Sequence, residues 1–240
     1  CEAEISARHL SFVETGRAQP SRAMLLRLAE QLEIPVRERN VLLVAAGYAP
    51  LFPERALDAP EMAQARAAIE IILEGSKPYP AYALDRHWNI VASNGALPQL
   101  FENVDAALLE PPINVVRVSL HPKGVAPYVL NFPQWRAHML ARLRRQIDLT
   151  ADPGLIALLD EVLSYPSPGG QPPPARLRAP EMVVPFVMRL NAGVVSFFST
   201  TMVFGTPVEV SLSELALESF FPADAATDAL VKELAALPPA

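Results

Sequence analysis

A single cysteine in 240 residues excludes an internal disulfide framework and fits a reducing, cytoplasmic setting. Long hydrophobic runs are also missing. The richest stretch, Met182 to Phe204, is broken by Pro185, Arg189 and Asn191-Ala-Gly193, well short of the ~20 apolar residues that a spanning helix needs. The chain opens at Cys1 with neither an initiator Met nor a signal-like segment. It has no G-x-S-x-G elbow, no H-E-x-x-H, no phosphate-cradling P-loop and no G-x-G-x-x-G, and His9, His87, His121 and His138 lack metal-ligand spacing. An enzyme is therefore not expected. Positive charge is scarce too: the net charge is -6, and within the first fifty residues six arginines balance six glutamates. What the chain has is apolar bulk, 51% hydrophobic at a mean hydropathy of +0.20, enough for one small and one larger domain.

The amino end reads as short helices. Ser6 caps the first, Leu10 and Val13 share a buried face, and Gly16 supplies a left-handed stop, leaving Ala7, Arg8, Ser11 and Phe12 outward. A second helix is capped by Ser21, and a third starts near Pro35 with apolar Val41, Leu42 and Val44. A first helix of this kind either presents base-reading side chains to a DNA major groove or is an ordinary solvated surface helix. Residues Ser6 to Leu51, with Glu14-Thr-Gly-Arg-Ala-Gln-Pro-Ser21 in the place of an E-x-G-x-x-x-P-S/T run, resemble the Cro/repressor-like (XRE) helix-turn-helix class. The resemblance implies a double-stranded DNA operator as partner and a homodimer. It implies that Ser6, Ala7, Arg8, Ser11 and Phe12 belong to the DNA-reading segment, with Arg17 and Ser21 nearer the phosphates. It also implies that the fragment begins partway through the helix preceding recognition, and with balanced charge this fragment should bind DNA weakly.

Tyr48-Ala-Pro-Leu-Phe-Pro53 punctuates the helical domain, and Met62, Ala65, Ile69, Ile72 and Leu73 form one stripe of a linker helix. Ala81 to Leu84 and Trp88 to Ser93 read as strands around an Asp85-Arg86-His87 corner. Asn94 is read as a cap for a short helix, Leu97 to Phe101, and Val115 to Leu120 as extended. A longer helix from Pro133 carries Trp135, Met139, Leu140, Leu143 and Ile147 inward and Arg136, Arg142, Arg144 and Arg145 elsewhere; another helix spans Pro153 to Leu163. A Pro/Gly-rich loop, Ser164 to Pro180, precedes a hairpin of two strands, Val183 to Leu190 and Val194 to Phe204, both expected to be central. Val208 to Ser211 reads as briefly extended, and Leu212 to Phe221 and Asp224 to Leu237 read as helices. The fold class is α+β: a helical domain over 1–52, a linker helix over 53–77 and a mixed sheet-and-helix domain over 78–240.

Five segments carry a second likeness: Ala81 to Asn94, Ser119-Leu-His-Pro-Lys-Gly124, Asn131 to His138, Phe197 to Pro207 and Glu214 to Thr227. Together they resemble the MmyB-like (MltR-type) ligand-binding domain of transcription regulators. The resemblance implies a PAS-like fold behind an XRE helix-turn-helix, and an apolar small-molecule ligand, a long-chain fatty acid above all.

The residues themselves allow an apolar tunnel with one polar or cationic group for a carboxylate. Phe101, Trp135, Met139, Leu143, Phe186, Met188, Phe198, Met202 and Phe204 are candidates for its wall, although each alone reads equally as core. Arg117, Arg136, His138 and Arg189 are candidates for the head group, each equally at home in a surface ion pair. His121 reads as a loop-fixing residue and Trp88 as a packing anchor. No cofactor beyond a bound fatty acid is expected. Two other readings stay open: a haem or flavin PAS sensor using His121 or His138, and a ligand-free interaction module.

Overall fold

The computed structural model describes residues 7–168, 183–205 and 209–236. They pack into two compact units, one of residues 7–66 with 203–205 and 209–215, the other of 67–168 with 183–202 and 216–236.

In the first unit, α1 (Ala7–Glu14) ends at Gly16, whose φ of 69° is the left-handed stop its position predicts. Helix α2 (Arg22–Gln31) is capped by Ser21, whose hydroxyl accepts from the Met24 amide at 3.2 Å. Helix α3 (Val36–Ala45) buries Leu43 completely but leaves Val41 and Val44 exposed. Its Asn40 donates to the Phe52 carbonyl at 2.7 Å and accepts from the Leu51 and Phe52 amides, fastening the following loop. Arg37 forks between Glu54 and Glu214, and buried Glu209 accepts from the Arg55 and Leu212 amides. These bonds hold 209–215 in this unit.

The second unit is built on a five-stranded sheet in the order β2-β1-β5-β4-β3. Strand β1 (Ala81–Leu84) is antiparallel to β2 (Ile90–Ser93) on one side and to β5 (Ala216–Pro222) on the other, with Tyr82 opposite Glu218. Strand β3 (Phe186–Leu190) pairs with β4 (Gly193–Val203), Phe186 opposite Phe197. Over this sheet lie α6 (Phe132–Thr150) and α7 (Pro153–Leu163), joined by Ala151 in the left-handed region at φ 49°. The remaining helices are α4 (Ala63–Gly75), α5 (Val115–Leu120), α8 (Val210–Ser213) and α9 (Ala225–Ala236). Rings of Trp135, Phe186, Phe220, Phe197 and Tyr82 run through the core with neighbouring centroids 4.6 to 6.1 Å apart.

Several expectations are corrected. Val115 to Leu120 is helical, not extended, because the Asn114 carboxamide oxygen accepts from the Val116 and Arg117 amides and nucleates a turn that β-branching alone disfavours. Leu212 to Phe221 is not a helix. Its second half is the central strand β5, whose Leu217, Glu218, Ser219 and Phe220 are all buried, so neither a period of 2 nor polar alternation is visible. Val210 to Ser213 is a helical turn rather than extended, capped by Glu209; Val208 lies outside the described residues. Strand β3 is an edge, not central. The expected loop at 164–180 is described only to residue 168. Arg142 points inward, its guanidinium 4.8 Å from the centre of the Trp88 ring.

Asn94 does not cap the 3-10 turn Leu97–Phe101, whose cap position is Ala96. Instead, buried Asn94 donates to the Leu73 and Tyr79 carbonyls and accepts from the Ala81 and Ala96 amides at 2.8 to 3.2 Å, tying the end of α4 to β1. Asn94→Ala strands those four backbone groups, and we expect a loss on the order of 2–4 kcal/mol in urea unfolding. A loss under about 0.5 kcal/mol would show that water replaces the bracket.

Candidate functional site

A cavity of about 20 Å³ lies inside the second unit, between the sheet, α5 and α6. The sheet contributes Tyr82, Phe186 and Phe220; the 3-10 turn contributes Leu97, Leu100 and Phe101; and α6 contributes Trp135. Val115, Val118 and Ser119 of α5 and Val125 complete the wall. Val125 is seated by its amide donating to the Val118 carbonyl at 2.9 Å. The loop between them closes tightly at Gly124, where a Cβ would fall 2.1 Å from that same oxygen, so only glycine fits.

Of the residues named from the sequence, Phe101, Trp135 and Phe186 line this cavity. Met139, Leu143 and Met188 are buried in the surrounding core without reaching it. Phe198 stacks on Phe221 at 5.6 Å, Met202 is exposed and Phe204 half-buried; none of the three lines the cavity. Sequence reasoning did not name Tyr82, Leu97, Leu100, Val125, Phe220 or the α5 residues Val115, Val118 and Ser119. The apolar Leu97 to Phe101 turn was legible, but β5 and α5 had been assigned the wrong secondary structure, which put their side chains on the wrong faces.

Two of the basic candidates, Arg117 and Arg136, are engaged elsewhere. Arg117 forms a bidentate pair with Glu161 at 2.8 Å, and the Tyr165 hydroxyl donates to the same carboxylate, which these partners hold below its ordinary range. Arg136 donates to Ser167 and the last carbonyls of α7. Arg189 is exposed on the edge strand. His138 stacks on Trp135 at 5.6 Å, half-buried, and burial with help from the Arg142 charge lowers its pKa, against the pull of Glu218. The His121 ring nitrogen Nδ1 accepts from the Lys123 amide at 3.0 Å, the loop-fixing role its position suggests. Among the described residues, no group of three or more His, Cys, Asp or Glu is placed to hold a metal ion.

Behind the cavity sits a buried ion pair. Glu218 of β5 is 2% exposed and accepts from Arg142 of α6 at 2.8 Å. The Tyr82 hydroxyl donates to it at 3.4 Å, and burial pushes that phenol well above its usual range.

In the first unit, Arg8, Ser11, Arg17 and Ser21 are exposed around α1 and its turn. Phe12 is half-buried rather than outward, with the Arg8 guanidinium over its ring at 5.4 Å. Ser6 lies outside the described residues, and Ala7 opens α1.

Comparison with known proteins gives this geometry a family. Residues 65–234 match the MmyB-like transcription regulator ligand binding domain, and the chain belongs to that family, one of regulator ligand-binding domains rather than of enzymes. No curated protein matches it. Among solved structures, the PAS domain from Bordetella pertussis BvgS is similar over 72% of this chain and 95% of its own, at 15% identity and a TM-score of 0.26, too loose a likeness to argue from. Among the described residues, no helix is long and apolar enough to cross a membrane.

Two outcomes follow. Arg142→Met leaves Glu218 buried without its cation and should cost about 3–5 kcal/mol in urea unfolding, whereas Arg142→Met with Glu218→Gln should recover most of it; strictly additive losses would mean the pair is uncoupled. His138 has a folded-state pKa below its ordinary value of 6.5, so on acidification the unfolded chain takes up this proton first. Its contribution is thus intact above that value and is lost as pH falls through the folded value; His138→Gln should flatten this part of the stability profile. An NMR titration midpoint of His138 above 6.5 would reverse the sign.

Proposed function

We propose that this chain is a one-component transcription regulator in which a PAS-like domain over 78–240 binds an apolar small molecule, a long-chain fatty acid or a close acyl relative. The single observation that supports it is the cavity lined by aromatic and branched side chains within the family-matched segment. Residues 1–52 act as an XRE-type helix-turn-helix reading a double-stranded operator as a homodimer, and 53–77 link the two parts. A ligand changes operator affinity only through its differential affinity for two states of the protein, so the expected coupling is about 1–3 kcal/mol.

The experiment is organic extraction and mass spectrometry of the purified protein, followed by operator affinity of delipidated protein with and without added acyl ligand. A recovered acyl chain and a 5- to 150-fold shift in affinity support the reading. Equal affinities at saturating ligand remove the sensor mechanism, and a delipidated protein that takes up no acyl compound removes ligand binding itself. On the DNA side, Arg8→Ala should cost about 1–3 kcal/mol at one base pair and relax preference there, while Arg17→Ala should weaken all sequences alike and flatten the salt dependence. A footprint unchanged in affinity and preference by Arg8→Ala would remove this helix from base reading.

A further inference from the structure

The charges around the cavity restrict what it can accept. None of its lining residues carries a charge, and the three nearby arginines of α5 and α6 are committed: Arg117 to Glu161, Arg136 to the end of α7, Arg142 to Glu218. A carboxylate buried here would be an uncompensated charge. One fully buried donor on a wall residue is uncommitted; the Ser119 hydroxyl is the other side-chain donor of the lining without a bond among the described residues, on a half-buried residue. Trp135 is 4% exposed, and its indole N–H is the buried side-chain polar group that finds no hydrogen-bond partner among the described residues. A native core leaves such donors unpaired rarely, because an unmet one costs about 1–3 kcal/mol. The other tryptophan shows the ordinary solution: buried Trp88 donates to Gln146 at 2.7 Å.

We propose that the cavity selects an uncharged acyl compound, an apolar chain carrying a neutral carbonyl group, and that the Trp135 indole N–H donates to that carbonyl oxygen. The proposal rests on the small-molecule reading above and narrows it: if a fatty acid enters, its buried end is a protonated carboxyl or the hydrocarbon tail, not a carboxylate. At about 20 Å³ the cavity has room for little more than one water. An acyl chain therefore displaces wall residues, among which those at 97–101 and 115–120 sit on short elements of one or two turns each.

The test titrates the full chain, labelled with 15N at its indoles, with methyl decanoate, decanoate at pH 8 and decane. Methyl decanoate should bind tightest and move the Trp135 indole signal while leaving that of Trp88, already bonded to Gln146, in place. Trp135→Phe, which keeps a ring against Phe186 and loses only the donor and part of the bulk, should weaken methyl decanoate about tenfold and decane little. The proposal is overturned, with the small-molecule reading intact, if decanoate binds as tightly as its ester, if the ester leaves the Trp135 signal unmoved, or if Trp135→Phe weakens ester and alkane equally. If none of the three compounds binds, both fall together.

Discussion

The pairing of Ala216–Pro222 with Ala81–Leu84 is the constraint on which the ligand-binding unit depends. Strand β5 comes from the last part of the chain, yet it lies between β1 and β4 and so joins a hairpin formed near residue 85 to one formed near residue 192. Without it there are two separate two-stranded ribbons, each marginal alone. With it, Phe220 meets Tyr82, Phe186 and Phe197 within 6.1 Å, and the aromatic wall of the cavity is complete. The register is fixed by more than apolar fit. A one-residue slip would turn Glu218 away from Arg142 and drive Phe220 to the opposite face.

Among the described residues, buried polarity is handled consistently apart from one group. Asn94 and Asn114 are 2% and 5% exposed, and each satisfies several backbone groups, one fastening α4 to β1, the other starting α5 and holding the His87 carbonyl at 2.8 Å. Glu218 has its arginine. Glu209, in the other unit, takes two amides. Against that background the free indole N–H of Trp135 is conspicuous, since the same core spends whole side chains on pairing its other polar atoms. A core that only needed bulk there would be served as well by Phe.

Much of this architecture was legible in the sequence, and the failures have a common cause. Helices with caps and a one-sided apolar stripe, such as α2 behind Ser21 and α7 behind Asp152, are found where local chemistry puts them. The β1-β2 hairpin was marked by its Asp85-Arg86-His87 corner, and Asp85 indeed accepts from the His87 and Asn89 amides. What failed was decided by distant partners. Leu212 to Phe221 has a helix-compatible pattern because a strand covered on both faces loses its alternation, and only β1 and β4 make it a strand. Val115 to Leu120 has the composition of a strand, and a single asparagine before it overrode that preference. Cavity residues on those two elements were therefore invisible, while Trp135 and Phe186 line the cavity from elements read correctly; Tyr82, Leu97 and Leu100 do so too, but nothing local sets an apolar wall residue apart from core. Which partner an arginine takes was not legible, because Glu161 and Glu218 lie 44 and 76 residues from Arg117 and Arg142.

The small size of the cavity also bears on how strongly a ligand could act. On the proposed function, the packed form leaves no room for an acyl chain, so its affinity there is negligible and binding draws on an opened form alone. Apparent affinity is then the intrinsic affinity reduced by the fraction open. Each kilocalorie that the aromatic wall gains by packing on itself weakens the ligand by about fivefold, and a core this well filled implies a low resting occupancy of the open form. The discrimination between states is correspondingly large, because a ligand that binds only one state shifts the balance by as much as its concentration over its dissociation constant permits. On the proposed function, aromatic packing that looks adverse to binding would be what separates two distinct states, and the Trp135 donor, without a partner among the described residues, would be where an entering carbonyl makes up what the packed state lacks.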